Sequence, residues 1–173
     1  PAGKNLTVNG SLVGEDLLKN NVYVKGTIDF QNEIALKEVN IHFQGGSSSI
    51  NEIEGNGTLI FYSSSSGSSV EKCKGQLGIL IKNNTSVSIS KSEIGWFGME
   101  EKETSLDISD SVISGIVNLT KIQGFKADGD IFMGQVTITG GSPEFKECEF
   151  TDYVFLCNRN EAKFTECVFG NSL

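Results

Sequence analysis

The feature that most constrains this chain is a repeat. Ile89-Ser-Lys-Ser92-Glu-Ile94 and Ile108-Ser-Asp-Ser111-Val-Ile113 begin 19 residues apart, and so do Phe145-Lys-Glu-Cys148-Glu-Phe150 and Phe164-Thr-Glu-Cys167-Val-Phe169. All four read apolar, two polar, small, any residue, apolar. Steps of 19 from these anchors reach a degraded copy at Ala127-Asp-Gly-Asp130-Ile-Phe132 and another at Val70-Glu-Lys-Cys73-Lys-Gly75. Further copies are read at Leu36-Lys-Glu-Val39-Asn-Ile41 and Leu17-Leu-Lys-Asn20-Asn-Val22, with only the stretch from Ile50 to Ile53 out of phase. Repeats of this length mark solenoids, in which one unit cannot bury its own apolar face and must stack on the next.

Within each unit the period is two. Val87 precedes Ile89 by two residues, Leu106 precedes Ile108, Phe125 precedes Ala127 and Ala162 precedes Phe164, which places each pair on one face of a strand. The two polar residues that follow read as a corner. A third apolar patch comes about nine residues after each start, at Ile79 to Ile81, Phe97, Ile116 to Leu119, Val136 to Ile138 and Val154 to Leu156. Three short strands and three bends per unit predict an all-β fold, a single-stranded parallel β-helix of about nine coils of ~19 residues over residues 1–173. Such a rod would be about 40 Å long. Twenty glycines suit the bends, and two prolines leave the ladders their donors. Helical periodicity is confined to Gly14 to Lys19, so residues 1–20 are read as an N-terminal cap. Phe169 to Leu173 carries no amphipathic capping helix, and the expectation is that further chain or another subunit covers that end. A pentapeptide solenoid matches only from Ala162 onward and fails between Gly75 and Gly141.

The three-strand coil, its Asn and Gly bends and the Phe-x-x-Cys-x-Phe corner at Phe145 and Phe164 resemble the right-handed parallel β-helix, or pectin-lyase-like, superfamily. The period is also similar to that of the passenger coils of two-partner-secretion adhesins, without the Asn-Pro-Asn-Leu motif of their secretion domains. The resemblance implies the right-handed form. It does not choose among functions, because adhesins, polysaccharide-cleaving enzymes and tailspike-like stalks all use this fold.

Charge and chemistry narrow the choice. Fourteen Lys and Arg, only Arg159 being arginine, against 22 acids give a net charge of -8, which excludes a phosphate-backbone binder. No apolar run reaches the length of a membrane span. The cysteines Cys73, Cys148, Cys157 and Cys167 contain no C-x-x-C pair, and the lone His42 completes no zinc site, so small buried thiols are expected, with Cys148 and Cys167 stacked as thiols one coil apart. Asn-x-Ser/Thr sequons at Asn5, Asn9, Asn56, Asn83, Asn84 and Asn118 fit a secreted chain.

The catalytic candidates are Asp107, Asp110 and Asp130, because paired carboxylates on the outside of a β-helix can hydrolyse glycosidic bonds. The Asn-Thr-Asp, Asp-Asp, Gly-His-Gly and Arg-x-Lys signatures of polygalacturonase-like enzymes are missing. Asp128 and Asp130 are candidate calcium ligands, although Asp128-Gly129-Asp130 is read first as a bend with both acids in solvent. Trp96, Phe97 and Tyr153 are candidate binding residues, partly core and partly a stacking platform. The runs Ser47 to Ser49 and Ser63 to Ser69 read as flexible turns projecting from the rod. The resulting expectation is a cofactor-free, non-catalytic, secreted or cell-surface binding segment of adhesin or passenger type. Its partner would be a glycan or a host or neighbour protein surface, and end-to-end or trimeric self-association is compatible with the open end. The alternatives are a polysaccharide lyase or glycoside hydrolase and a structural stalk.

Overall fold

The computed structural model describes residues 6–8, 12–13, 21–26, 28–30, 34–82, 85–99 and 104–170. Every ladder in it is parallel, and successive strands of one face come from successive turns of the chain, so the fold is the expected β-solenoid. The first face is a nine-stranded sheet running from Leu6–Val8 to Lys163–Thr165. The second is five two-residue strands from Glu93–Ile94 to Val168–Phe169. The third is divided into a six-stranded sheet, which includes Asn21–Val24, Ile34–Phe43, Ile53–Phe61, Lys74–Ile81 and Trp96–Met99, and a three-stranded sheet of Val117–Ile122, Val136–Gly141 and Val154–Asn160.

The turns number about seven rather than nine. The first face has nine strands, but complete three-sided coils are fewer, because the second face has five strands among the described residues; along the first face Leu6 pairs with Ile28, Asp29 with Ser49 and Ser49 with Ser69, before Ser86, Ser105 and Gly124 follow in steps of 19. The corner after this face recurs seven times with a residue in the left-handed region, at Glu52, Lys72, Lys91, Asp110, Gly129, Glu147 and Glu166. Six of the seven carry a side chain there, at a backbone conformation that costs an L-residue about 1–2 kcal/mol.

The phase of the early copies needs correction. Ile50-Asn-Glu-Ile53 is the in-phase copy, since Ile50 pairs with Val70 and Glu52 occupies the left-handed corner. Leu36, Val39 and Ile41 instead lie inside one ten-residue strand of the third face, Ile34–Phe43. Gly14 to Lys19 lies outside the described residues.

One apolar column fills the interior. Val70, Ile89, Ile108, Ala127 and Phe145 stack in register and are all buried. Phenylalanines continue the stacking at ladder spacing: Phe43 on Phe61 at 4.6 Å, Phe132 on Phe150 at 5.1 Å and Phe145 on Phe164 at 4.9 Å. Each such ring contributes roughly 1.5–3 kcal/mol by leaving water.

The serine run from Ser63 is anchored in the core at two points, although Ser63, Ser66 and Gly67 are exposed. Ser65 and Ser68 are buried, Ser65 Oγ donates to Tyr62 O at 2.7 Å, Ser68 Oγ donates to Ser65 O at 2.7 Å, and Ser68 Oγ accepts the Ser48 N–H at 2.9 Å. The hydroxyls replace water for corner backbone groups, which is why small polar residues are buried there.

Candidate functional site

The small-residue column after the first face points inward and forms a side-chain ladder. Ser92 Oγ accepts the Cys73 N–H at 3.0 Å and donates to Ser90 O at 2.8 Å; Ser111 Oγ accepts the Ser92 N–H at 3.1 Å and donates to Ser109 O at 2.8 Å. Asp130 takes the next place. Its Oδ1 accepts the Ser111 N–H at 2.8 Å and its Oδ2 accepts the Asp128 N–H at 3.0 Å. Its exposure is 0%, so the bend with both acids in solvent is wrong for Asp130, although Asp128 is exposed. Burial pushes the Asp130 carboxyl up to about 7; the two backbone donors oppose this, and the charges of Asp110 and Asp128 add to it.

The other acids are spread over the outside. Asp107 lies on the outward side of Ser105–Ser109, beside Ser88 and Lys126 in register. Asp110 is the exposed left-handed corner residue of its turn, and its N–H donates to Asp128 O at 3.1 Å. Asp128 is bridged by Lys146 Nζ at 3.3 Å, Glu147 by the same amine at 2.9 Å and Glu144 by Lys163 at 2.8 Å. Asp107 therefore faces solvent from a strand while Asp130 is buried in a corner, and the calcium candidates Asp128 and Asp130 are divided between solvent and core. Among the described residues no group of three His, Cys, Asp or Glu side chains converges as a metal site.

The four cysteines are free thiols. Cys73 and Cys148 are buried in the ladder column; burial pushes their thiols up to about 11 and about 12, which leaves them unreactive at neutral pH. Cys167 is half-buried above Cys148, and Cys157 is exposed, unlike the buried thiol expected.

The most differentiated surface is the outer side of the six-stranded sheet. Registers place Tyr23, His42, Ile60, Leu80 and Gly98 in one outward row, and Asn21, Asn40, Thr58, Gly78 and Trp96 in the next. Tyr23 stacks on His42 at 4.5 Å, and Tyr62 follows at 6.1 Å. His42 Nε2 donates to Asn21 Oδ1 at 2.9 Å, so Nδ1 is the acceptor for the Tyr62 hydroxyl at 3.2 Å. Partial burial, then the charge of Lys82, hold the His42 imidazole below its ordinary value, and it is neutral at pH 7.

At the other end of this face, Trp96 lies flat across Gly78. A Cβ at Gly78 would stand 2.4 Å from the indole, so only glycine lets the ring down onto the sheet, and Trp96 remains 40% exposed on its outer side. Its neighbour Phe97 points the opposite way: it is 4% exposed and stacks on Phe125 at 5.6 Å, which makes it core rather than a binding residue. Tyr153 is 48% exposed on a separate sheet, tilted against Phe155 at 6.0 Å. Trp96 and Tyr153 thus lie on different sheets of the third face, several turns apart along the solenoid. Sequence reasoning missed Tyr23, His42 and Tyr62; the available signal was their recurrence at steps of 19 and 20, one residue per turn.

Comparison with protein-family models, with curated proteins and with solved structures returned no match.

Proposed function

We propose that this solenoid is a non-catalytic binding segment of adhesin or passenger type, secreted or displayed at a cell surface, with a glycan or a neighbouring protein surface as its partner. The observation that carries the reading is the outer face of the six-stranded sheet, where the indole of Trp96 rests on Gly78 with one side open, in line with the amides of Asn40 and Asn21. A flat ring offers apolar contact to the C–H side of a sugar or to an exposed side chain, while the amides of Asn40 and Asn21, three and four strands along the row and roughly 14–19 Å from the ring, offer directional hydrogen bonds to further units of an extended ligand. The division of labour among the acids supports the same reading: Asp128, Glu144 and Glu147 are neutralised by lysines, and Asp130 serves the core. On this reading the coil belongs with the right-handed, pectin-lyase-like helices, which its Phe-x-x-Cys-x-Phe corners resemble.

A glycan array read beside binding to matrix proteins and to whole cells tests the proposal. A saturable hit that Trp96→Ala weakens about tenfold, with an unchanged circular dichroism spectrum, is the expected result. Absence of any hit, or a hit indifferent to Trp96, overturns it.

A further inference from the structure

A second corner, at the far end of the three-stranded sheet, is built for a different ligand. Lys121, Gly140 and Asn158 all sit in the left-handed region at φ 56°, 69° and 58° in successive turns. Between Thr139 and Gly141 the register with the last strand shifts, so Asn158 and Arg159 together oppose Gly140 alone. A bulge of this kind turns a side chain out of the ladder, and here it brings Arg159 over a position that has no side chain. The missing side chain leaves a hollow: a Cβ at Gly140 would stand 3.6 Å from both the Arg159 carbonyl oxygen and Lys121 Cγ. The result is a cleft of about 660 Å³ lined by Lys121, Gln123, Thr139, Gly140, Asn158 and Arg159, with Gly141 at its edge.

The lining contains two cations, two amides and a hydroxyl, and no carboxylate. That is unexpected on a chain of net charge -8. Lys72, Lys91, Lys146 and Lys163 have acidic partners, while Lys121 and Arg159, like Lys74 and Lys126, form no ion pair among the described residues; what sets Lys121 and Arg159 apart is that they line one cleft together. The nearest acid along the chain, Glu161, acts on Lys163. Its backbone N–H donates to Gly141 O at 2.7 Å.

We propose that this cleft binds a single phosphate or sulfate group between Lys121 and Arg159. Strands two turns apart are separated by roughly 10 Å, which leaves room for one tetrahedral anion between the two cations. The lining supplies several donors: the guanidinium fork, the ammonium, and the Gln123, Thr139 and Asn158 side chains. Three or four acceptor oxygens match that arrangement, while a carboxylate would be satisfied by the guanidinium alone. This site shares no residue with the row that carries Trp96.

The test is an NMR titration of the whole chain with sodium sulfate, inorganic phosphate and a sugar phosphate, each matched for ionic strength with sodium chloride. Saturable shifts of the Lys121, Gly140, Asn158 and Arg159 amides are expected. Lys121→Gln and Arg159→Gln should each weaken binding about tenfold, while Lys126→Gln, an exposed lysine outside the cleft, leaves it unchanged. Both cleft side chains are exposed, so the thermal midpoints should stay together and a loss of binding cannot be ascribed to misfolding. Tighter binding of the sugar phosphate supports the site as one for an ester, and equal binding supports it as one for the free ion. Shifts reproduced by sodium chloride, equal binding of acetate, or variants that bind like the parent chain overturn the proposal.

Discussion

The early and late turns follow the same path by different means. From Ile53 to Ile81 the chain passes from the second face to the third inside long strands, Ile53–Phe61 and Lys74–Ile81, and bends at Gly55, Gly57 and Gly75 with φ of 135°, 149° and 101°. From Ser92 onward the same bend falls between separate strands, at Gly95, Gly115 and Gly134, and the preceding corner carries side chains that hydrogen-bond to the backbone of the previous turn. Glycine is needed at the bend in the late turns as well, since a Cβ would stand 2.2 Å from the Gly95 carbonyl oxygen at Gly115 and 2.4 Å from the Gly115 carbonyl oxygen at Gly134. The early bend is distinguished by its positive φ and the late turns by their column of small polar side chains, so the early turns should be sensitive to residues that cannot hold positive φ, and the late turns in addition to the chemistry of one column.

The largest expected effect lies in the late turns, at Asp130. Its folded pKa of about 7 stands above the ordinary 3.8, so the neutral acid favours the fold. The associated stability is fully present below about pH 3.8 and is lost as pH rises through 7, a span of roughly 4 kcal/mol. Asp130→Ser would repeat the hydrogen bonding of Ser92 and Ser111 without a titrating charge. Urea unfolding at pH 8 should show the variant more stable than the parent by up to about 4 kcal/mol, with the difference disappearing near pH 4. A difference that does not change with pH would mean that ionised Asp130 is tolerated in the column.

Next in size is the early device. At Gly75 the φ of 101° is strained for any side chain, and a Cβ would stand 2.4 Å from the Gly55 carbonyl oxygen, which is backbone and cannot step aside. Gly75→Ala should lower stability by about 3 kcal/mol. The same change at Gly98, inside a strand, meets only side-chain atoms, Leu80 Cδ1 at 3.2 Å and Trp96 Cζ3 at 3.7 Å, and should cost less than about 1 kcal/mol. Equal losses in thermal unfolding would erase the distinction between a glycine of the bend and a glycine within a strand.

The same contrast explains what the sequence disclosed. In the late turns the apolar-polar-polar-small pattern recurs every 19 residues with a single step of 18 between Ala127 and Phe145, so the strands, the inward column and the stacking of Cys148 under Cys167 were all legible. In the early turns the step lengthens to 20, and Ile53 occupies the place of the small residue, so the marker of phase disappears. A period-two run such as Leu36 to Ile41 looks alike on any face, and it was assigned to the wrong one. Asp130 was placed in the right column, yet its burial followed only from its two backbone donors. The outer aromatic cluster was illegible for another reason: Tyr23 and His42 are brought together by strand register, and Tyr62, just past the end of Ile53–Phe61, joins them through its hydroxyl and ring contact with His42.

The smallest effect separates the corner conformation from the corner chemistry. Lys91 holds φ at 50°, its side chain is exposed, and its nearest acid, Glu71, is 4.0 Å away across solvent, a contact worth little. Its N–H donates to Ser109 O at 3.0 Å, and any residue but proline keeps that bond. Lys91→Gly should therefore relieve about 1–2 kcal/mol of left-handed strain and lose part of it to the greater freedom of glycine in the unfolded chain, for a net gain of about 0.5–1 kcal/mol. The adjacent Ser90 lies in the regular strand Ser86–Ser90, where glycine gains nothing, and Ser90→Gly should cost about 0.5–1 kcal/mol. Opposite signs at neighbouring positions, read as a rise and a fall in urea midpoint, are expected only if the turn depends on a left-handed residue at that one place. Losses at both would mean that the lysine stem contributes more to the corner than its backbone strain removes.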